Sequence, residues 1–150
     1  MPSSGKEESE SPDRQRTVLL VEDNPTDIYV ISEVVEACGL SLRLEIARNG
    51  HEAIAYLQKL AGAEELQCPE LVLLDLNLPK ASGFEVLRRL RTSARCKSTP
   101  VIVVSSSTAD ADRKAAELLG VQAYFQKPSK LSSYMRLEQL IKRYLAPSQP

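Results

Sequence analysis

The sequence lacks tryptophan altogether, and phenylalanine and tyrosine together make up only 5% of its 150 residues. It also lacks long hydrophobic runs, because apolar stretches such as residues 71–74 and 101–104 are far shorter than the roughly 20 residues of a membrane-spanning helix. We therefore expect no membrane partner. The first 15 residues contain no apolar segment that could serve as a secretory signal, which predicts a cytoplasmic protein.

An excess of charge of one sign is also missing. Lysine and arginine number 19, aspartate and glutamate number 20, and the net charge is -1. Proteins that bind nucleic acids through their general electrostatic field carry a clear basic excess. The composition therefore predicts no nucleic-acid partner.

Cysteine is scarce. The three cysteines, Cys38, Cys68 and Cys96, are odd in number and far apart, without the CxxC spacing of a metal or redox site. We predict that all three are unpaired and fill small apolar spaces in a reducing compartment.

The residues that are present suit a globular domain, since 43% are hydrophobic and 26% are charged. Residues 1–16 are polar and show no apolar periodicity, which predicts a disordered N-terminal tail. We place the folded domain at 17–146 and a short C-terminal tail at 147–150.

Within that domain, short β-branched runs alternate with segments of helical period. The five runs that we interpret as strands are 17–21, 42–47, 71–75, 101–104 and 123–125. Between them, apolar residues recur every three or four positions, as in helices that pack on a sheet. The alternation predicts an α/β domain in which helices cover a parallel sheet.

The last helical segment places Tyr134, Leu137, Ile141 and Tyr144 along one stripe. We expect this stripe to pack into the core. A homodimer interface formed by part of it is the alternative.

Polar residues follow four of the predicted strands. Glu22 and Asp23 follow the first, Asp75 ends the third, Ser105 follows the fourth, and Lys127 comes shortly after the fifth. Because functional crevices in parallel α/β sheets lie beyond the carboxyl ends of the strands, we expect these groups to meet. Clustered carboxylates suit Mg²⁺, and an ammonium and a hydroxyl suit a phosphoryl group. In that setting Asp75 can attack phosphorus to give an acyl phosphate.

Each of these residues has a plainer interpretation when it is taken alone. An aspartate after a strand is often a helix cap, and an acidic pair before a proline suits the first turn of a helix. Ser105 could be a capping residue and Lys127 a surface cation. Four independent accidents would be needed to place complementary groups at one edge, so we favour a phosphoryl-transfer site.

The chain resembles the receiver domain of bacterial response regulators over about residues 17–146. The strings that carry the resemblance are V-E-D-N-P-T-D, L-V-L-L-D-L-N-L-P-K-A-S-G, P-V-I-V-V-S-S-S and A-Y-F-Q-K-P. The resemblance implies a three-layer, doubly wound (βα)5 flavodoxin-like fold, with a five-stranded parallel sheet in the order 2-1-3-4-5.

The resemblance also implies roles for the polar residues. Asp75 would accept a phosphoryl group from a phosphohistidine, either on a sensor histidine kinase or on a histidine phosphotransfer protein. Asp23, Asp75 and the backbone carbonyl of Asn77 would bind Mg²⁺, and Glu22 would be the outer acid that helps to hold it. Such a protein is a phosphoacceptor switch rather than an enzyme with turnover.

Three further roles follow from the same resemblance. Ser105 would be the switch hydroxyl, and Tyr124 the aromatic residue whose rotamer reports its movement. Lys127 would be the phosphate partner, aimed by a cis Lys127–Pro128 peptide bond. The Glu-Asp acidic pair and the serine at the switch position depart from the commoner Asp-Asp and threonine, which affects kinetics rather than chemistry.

Loop length and the L-N-L-P string are similar to those of small stand-alone receivers associated with bacterial phytochrome kinases. We therefore expect a bacteriophytochrome as the kinase partner. Because the receiver accounts for about 130 residues, we also expect no attached output domain, so that output passes through a separate protein.

Two other classes of function remain as alternatives. An aspartyl-phosphate phosphohydrolase of small molecules could also use Asp75, Mg²⁺ and Lys127, but such enzymes usually carry a second acid where this chain has Asn77. A nucleotide or flavin binder of the same fold would need glycines and hydroxyls in the first loop, which here is acidic.

Overall fold

The structure is a computed structural model that describes residues 16–39 and 41–145. Strands and helices alternate along these ranges. Their bounds are β1 Arg16–Val21, α1 Pro25–Ala37, β2 Leu42–Ala47, α2 Gly50–Ala61, β3 Leu71–Leu74, α3 Gly83–Arg91, β4 Val101–Ser105, α4 Asp110–Leu118, β5 Ala123–Gln126 and α5 Met135–Leu145, with a short 3₁₀ helix at Leu131–Tyr134 before α5.

The five strands form one parallel sheet in the order β2-β1-β3-β4-β5, which confirms the predicted fold class and strand order. The three central strands are buried on both faces, as their continuous apolar character predicts. Alternate residues face opposite sides of the sheet. In β1, Leu19 and Val21 join the core that α2 and α3 cover, whereas Val18 and Leu20 join the core beneath α1 and α5.

Element bounds differ from the predictions by a residue or two. Arg16, predicted as the end of the tail, begins β1, because its backbone pairs with β2 and its amide donates to the carbonyl of Ser41. Its guanidinium also donates to Glu70 and to the carbonyl of Leu145. The rest of that tail, and residues 146–150 with the predicted C-terminal tail, lie outside the described residues. β3 ends at Leu74, so Asp75 follows the strand rather than ending it.

The apolar stripe of the last helical segment is core, as predicted. Tyr134, Leu137 and Ile141 are buried, and Tyr144 is half-buried with its hydroxyl donating to the carbonyl of Gln122. Little of the stripe is left to form a dimer interface. Within the described ranges, no helix is both long and apolar enough to cross a membrane.

The loop between β3 and α3 is fastened to α2. The backbone amides of Gly50 and His51 donate to the carbonyls of Pro79 and Lys80, at 3.3 and 3.0 Å. A Cβ on Gly50 would clash with the carbonyl of Ala81 and lie only 2.6 Å from that of Lys80. Glycine at this position is therefore what allows the first turn of α2 to rest on the loop.

Gly83 allows a second close approach, between α3 and the end of β3. A Cβ on Gly83 would clash with the carbonyl of Asp75 and lie 2.6 Å from the Cα of Leu76. Both obstacles are backbone atoms, which cannot turn aside as a side chain can.

We expect Gly83→Ala to lower the free energy of unfolding by about 2–4 kcal/mol, measured by urea denaturation. Gly62→Ala is the matched control, because the nearest atom to a Cβ there is 3.8 Å away. The control should change stability by less than about 0.5 kcal/mol. Equal stabilities for the two variants would contradict the close packing of α3 on Asp75.

The prediction that all cysteines are unpaired is wrong. Cys68 and Cys96 form a disulfide, with their Cα atoms 5.7 Å apart, and only Cys38 of the three is free and buried. The pair joins the connection that precedes β3 to the connection that precedes β4. These strands are neighbours in the sheet, so their amino-terminal ends meet although 28 positions separate the two cysteines.

We expect replacement of both Cys68 and Cys96 by serine to lower the free energy of unfolding by about 2–4 kcal/mol, because the open chain gains conformational entropy when it unfolds. Alkylation of the denatured protein checks the bond itself. One thiol should react before reduction and three should react after it. Three reactive thiols before reduction would show that the bond is absent.

Candidate functional site

The carboxyl ends of the strands bring the predicted acidic residues together. Glu22 and Asp23 directly follow β1, and Asp75 directly follows the neighbouring β3. One carboxylate oxygen from each of the three lies within 4.8 Å of the others. We call these three residues the acidic cluster.

Lys127 extends into this cluster from the end of β5. Its Nζ lies 3.0 Å from Glu22 Oε1 and 3.2 Å from Asp75 Oδ2. A third carboxylate is closer still, since Asp27 Oδ2 lies at 2.8 Å. Burial alone would lower the pKa of Lys127, but the close contacts with Asp27 and Glu22 and the negative charge of Asp75 outweigh it and raise the pKa above its usual value. The side chain is therefore an ammonium ion.

Glu22 is the most deeply buried acid of the site, with only 1% of its surface exposed. Its Oε2 accepts a hydrogen bond from the backbone amide of Asn24, whereas its Oε1 faces Lys127 without forming a well-aligned hydrogen bond. Burial, together with the charge of Asp75, raises the pKa of Glu22 to about 7 despite the opposing effect of Lys127. One oxygen of this buried carboxylate thus has unused bonding capacity.

The two oxygens of Asp75 have different partners. Oδ1 accepts a hydrogen bond from the backbone amide of Asn77 at 3.1 Å, and Oδ2 faces Lys127. The Asp75 amide donates to the carbonyl of Val21, which ties the residue to β1. Asp75 is 5% exposed, whereas Asn77 is exposed in the following loop. The carboxylate is therefore held in place by the Asn77 amide at one oxygen and by Lys127 at the other.

Ser105 and Tyr124 lie beside the site, where both contact Ser107. Ser105 is completely buried, and its Oγ accepts a hydrogen bond from the Ser107 amide at 3.2 Å. The hydroxyl of half-buried Tyr124 donates to the Ser107 carbonyl, also at 3.2 Å. The Ser105 carbonyl accepts from the Lys127 amide at 2.8 Å, so β4 also fixes the position of the Lys127 backbone.

Sequence reasoning missed Asp27 as a member of the site. It lies in the first turn of α1, where its amide donates to the side chain of the N-cap residue Asn24 at 3.0 Å. The available signal was its place in the V-E-D-N-P-T-D string, in the first turn of the helix that follows the acidic pair.

The expected cis bond before Pro128 is wrong. No peptide bond in the described ranges is cis, and Lys127 contacts its three carboxylates from a trans peptide. The long lysine side chain spans the distance without the cis form, and trans is the lower-energy form of most bonds to proline.

The acidic cluster fits a divalent metal ion. Glu22, Asp27 and Asp75 face the single ammonium of Lys127, and Asp23 adds a fourth carboxylate to the cluster, which leaves an excess of negative charge. Glu22 Oε1, which faces Lys127 but accepts no well-aligned hydrogen bond, is a hard oxygen donor of the kind that Mg²⁺ and Mn²⁺ accept. The arrangement can therefore hold a hard cation beside Asp75, whose carboxylate also faces the Lys127 ammonium.

A protein-family model described as the response regulator receiver domain matches residues 18–139. Among curated proteins, the chain is 38% identical over 127 residues to the probable methanogenesis regulatory protein FilR2 of Methanothrix harundinacea, covering 85% of this chain and 81% of that protein. It is 35% identical over 129 residues to response regulator Rcp1 of Synechocystis sp., covering 86% and 88%.

Solved structures agree with these matches. The Mn²⁺-bound form of response regulator Rcp1 superposes with a TM-score of 0.78 at 34% identity, covering 90% of this chain and 99% of that one. The phosphorylated cyanobacterial phytochrome response regulator RcpA superposes with a TM-score of 0.80 at 32% identity, covering 91% and 98%.

Proposed function

This chain belongs to the response regulator receiver domain family, and from that premise we propose that it is a signalling switch phosphorylated on Asp75. The observation that carries the assignment to Asp75 is its position. Asp75 belongs to the acidic cluster, faces the Lys127 ammonium at 3.2 Å and directly follows β3, the middle strand of the sheet.

The transfer converts a phosphohistidine of the donor into an acyl phosphate of Asp75. An oxygen of the Asp75 carboxylate attacks phosphorus, a new P–O bond forms, and the P–N bond to the donor imidazole breaks. The imidazole leaves with the bonding electron pair and takes up a proton. Lys127 stays protonated throughout and stabilises the negative charge of the phosphoryl oxygens.

Glu22, Asp23 and Asp75 would hold a Mg²⁺ ion, with the backbone carbonyl of Asn77 as a further ligand. When bound, the ion supplies positive charge to the oxygens of the phosphoryl group. Support comes from the unused oxygen of Glu22 and from the related response regulator Rcp1, whose structure contains Mn²⁺.

Ser105 and Tyr124 would report the phosphorylation. A phosphoryl group on Asp75 presents new acceptor oxygens, which favour movement of the buried Ser105 hydroxyl towards the site. Tyr124 shares the partner Ser107 with Ser105, so its environment changes with that movement.

We further propose that the phosphodonor is a sensor histidine kinase of the phytochrome class. Rcp1 and RcpA, to which the chain is similar over most of its length, are response regulators, and RcpA is that of a cyanobacterial phytochrome. A histidine phosphotransfer protein would offer the same phosphoimidazole and is the other donor to compare.

The experiment that tests the function is incubation with Mg²⁺ and acetyl phosphate, followed by intact-mass analysis. We expect one phosphoryl adduct that requires Mg²⁺ and is released by hydroxylamine, as acyl phosphates are. Transfer from an autophosphorylated phytochrome kinase should be faster than transfer from an unrelated histidine kinase. Absence of the adduct, or steady hydrolysis of varied phosphate esters in its place, would overturn the proposal.

A further inference from the structure

Ser107, in the connection between β4 and α4, joins three parts of the molecule. Its amide donates to Ser105 Oγ, and its carbonyl accepts from the Tyr124 hydroxyl. Its own hydroxyl donates to Asp112 Oδ2 at 2.6 Å. One residue therefore contacts the buried hydroxyl of the site, the neighbouring aromatic residue and the first turn of α4.

The first turn of α4 depends on this residue. Helices α1, α2 and α3 each begin after an asparagine or serine whose side chain accepts a backbone hydrogen bond, but α4 begins after Ala109, which has no acceptor. Ser107 Oγ satisfies one free donor of this helix start, because it accepts from the amide of the N-cap residue Ala109 at 3.2 Å while its hydroxyl donates to Asp112. We call the Ser107–Asp112 hydrogen bond the latch.

Helix α4 is also loosely attached to the rest of the domain. Of its nine residues, all of them described, Ala116 is buried, and Leu118 is 88% exposed. The guanidinium carbon of Arg113, on the first turns of the helix, lies 4.3 Å from the centre of the Tyr124 ring. A helix with so little buried surface moves at small energetic cost, so its few polar contacts decide where it rests.

We propose that the latch holds α4 and Tyr124 in the resting arrangement and that Asp112 is a positioning residue that opposes the switch. This inference rests on the proposed phosphorylation of Asp75. A Ser105 hydroxyl that turns towards a phosphoryl group either leaves the Ser107 amide or draws Ser107 with it. If Ser107 follows, its backbone shifts and the bond to Asp112 resists that shift. If the hydroxyl leaves, the Ser107 amide loses its acceptor while the bond to Asp112 keeps Ser107 in place.

The latch gives α4 a direct link to the site through this chain's own residues. When Ser107 moves, the Tyr124 hydroxyl loses or follows its acceptor, and the amide of Ala109 loses its cap. Both changes act on the first turn of α4, from two sides. Breaking the latch in advance should therefore shift the population towards the switched arrangement before any phosphoryl group is present.

The test is a titration with beryllium fluoride, a stable mimic of the phosphoryl group, in the presence of Mg²⁺, observed through backbone amide NMR signals of Ser107 and Tyr124. In Asp112→Ala, we expect the half-saturating concentration to fall about three- to tenfold, the effect of one lost hydrogen bond at a partly exposed site. Without beryllium fluoride, the two signals of the variant should already lie part of the way towards their saturated wild-type positions.

Asp110→Ala is the matched control, because it removes the same charge from the same helical turn and Asp110 lies outside the hydrogen bonds of Ser107. It should titrate like the wild type. Asp112→Asn keeps an acceptor for the Ser107 hydroxyl and should fall between the wild type and Asp112→Ala. If Asp112→Ala does not fold, Ser107→Ala, with Thr108→Ala as its control, tests the same bond.

Failure of the latch is distinguishable from failure of the proposed function. If wild-type protein neither responds to beryllium fluoride nor forms an acyl phosphate, the proposed function is wrong. If wild-type protein responds and Asp112→Ala titrates at the same concentration as Asp110→Ala, the latch alone is overturned.

Discussion

Asparagine in place of Asp75 should lower phosphorylation by acetyl phosphate at least about a thousandfold, because the amide has no nucleophilic oxyanion to attack phosphorus. The substitution keeps the size of the side chain and an oxygen that can accept from the Asn77 amide. The loop after β3 should therefore keep its conformation. Intact mass measures the loss of the adduct, and thermal unfolding shows that the variant is folded.

The control for this variant is Asp110→Asn, an acid on α4 outside the site. It should be phosphorylated at the wild-type rate. Because Asp75→Asn also removes one negative charge from the acidic cluster, we expect it to be at least as stable as the wild type in the absence of metal. An undiminished adduct in Asp75→Asn would assign the acceptor to a different residue.

Methionine in place of Lys127 should lower the free energy of unfolding in metal-free buffer by about 3–5 kcal/mol, because two buried carboxylates lose their cation. Glu22 and Asp75 are 1% and 5% exposed, so water cannot replace the ammonium at either. Adding Mg²⁺ should restore part of the loss, since a cation held by the same oxygens neutralises the same charge. Urea unfolding with and without Mg²⁺ provides the measurement.

Lys130→Met is the matched control, because Lys130 is an exposed lysine three positions further on. Its stability should stay within about 0.5 kcal/mol of the wild type.

Lys127→Arg separates the effect of the charge from the effect of the side-chain shape. It should bind Mg²⁺ but respond poorly to phosphorylation, because a planar guanidinium does not replace a compact ammonium. A normal conformational response in Lys127→Arg would count against the role of the lysine.

The site could be predicted where position along a strand determines position in space. Parallel strands end at one edge of the sheet, so finding Glu22, Asp75 and Lys127 just after apolar runs was enough to predict that they meet. The fold could be predicted for the same reason, because buried parallel strands are continuous apolar runs separated by amphipathic helices.

The features that the sequence did not reveal depend on contacts between distant segments. Asp27 joins the site because the first turn of α1 contacts Lys127, a residue 100 positions further along the chain. The Cys68–Cys96 bond depends on two connections meeting at the other edge of the sheet. Neither packing angles nor the paths of connections are encoded in periodicity, so spacing rules alone gave the wrong prediction for the cysteines.

Because the β3–α3 loop is hydrogen-bonded to α2, the segments on the two sides of Asp75 differ in how easily they can move. On one side, two backbone hydrogen bonds from the first turn of α2 and the close approach of Gly83 leave the loop little freedom. On the other side, β4 leads into α4, which buries little surface. A displacement that begins at Asp75 should therefore move α4 more easily than α2. A reporter dye attached near exposed Leu118 should detect that movement, whereas a dye on α2 should not.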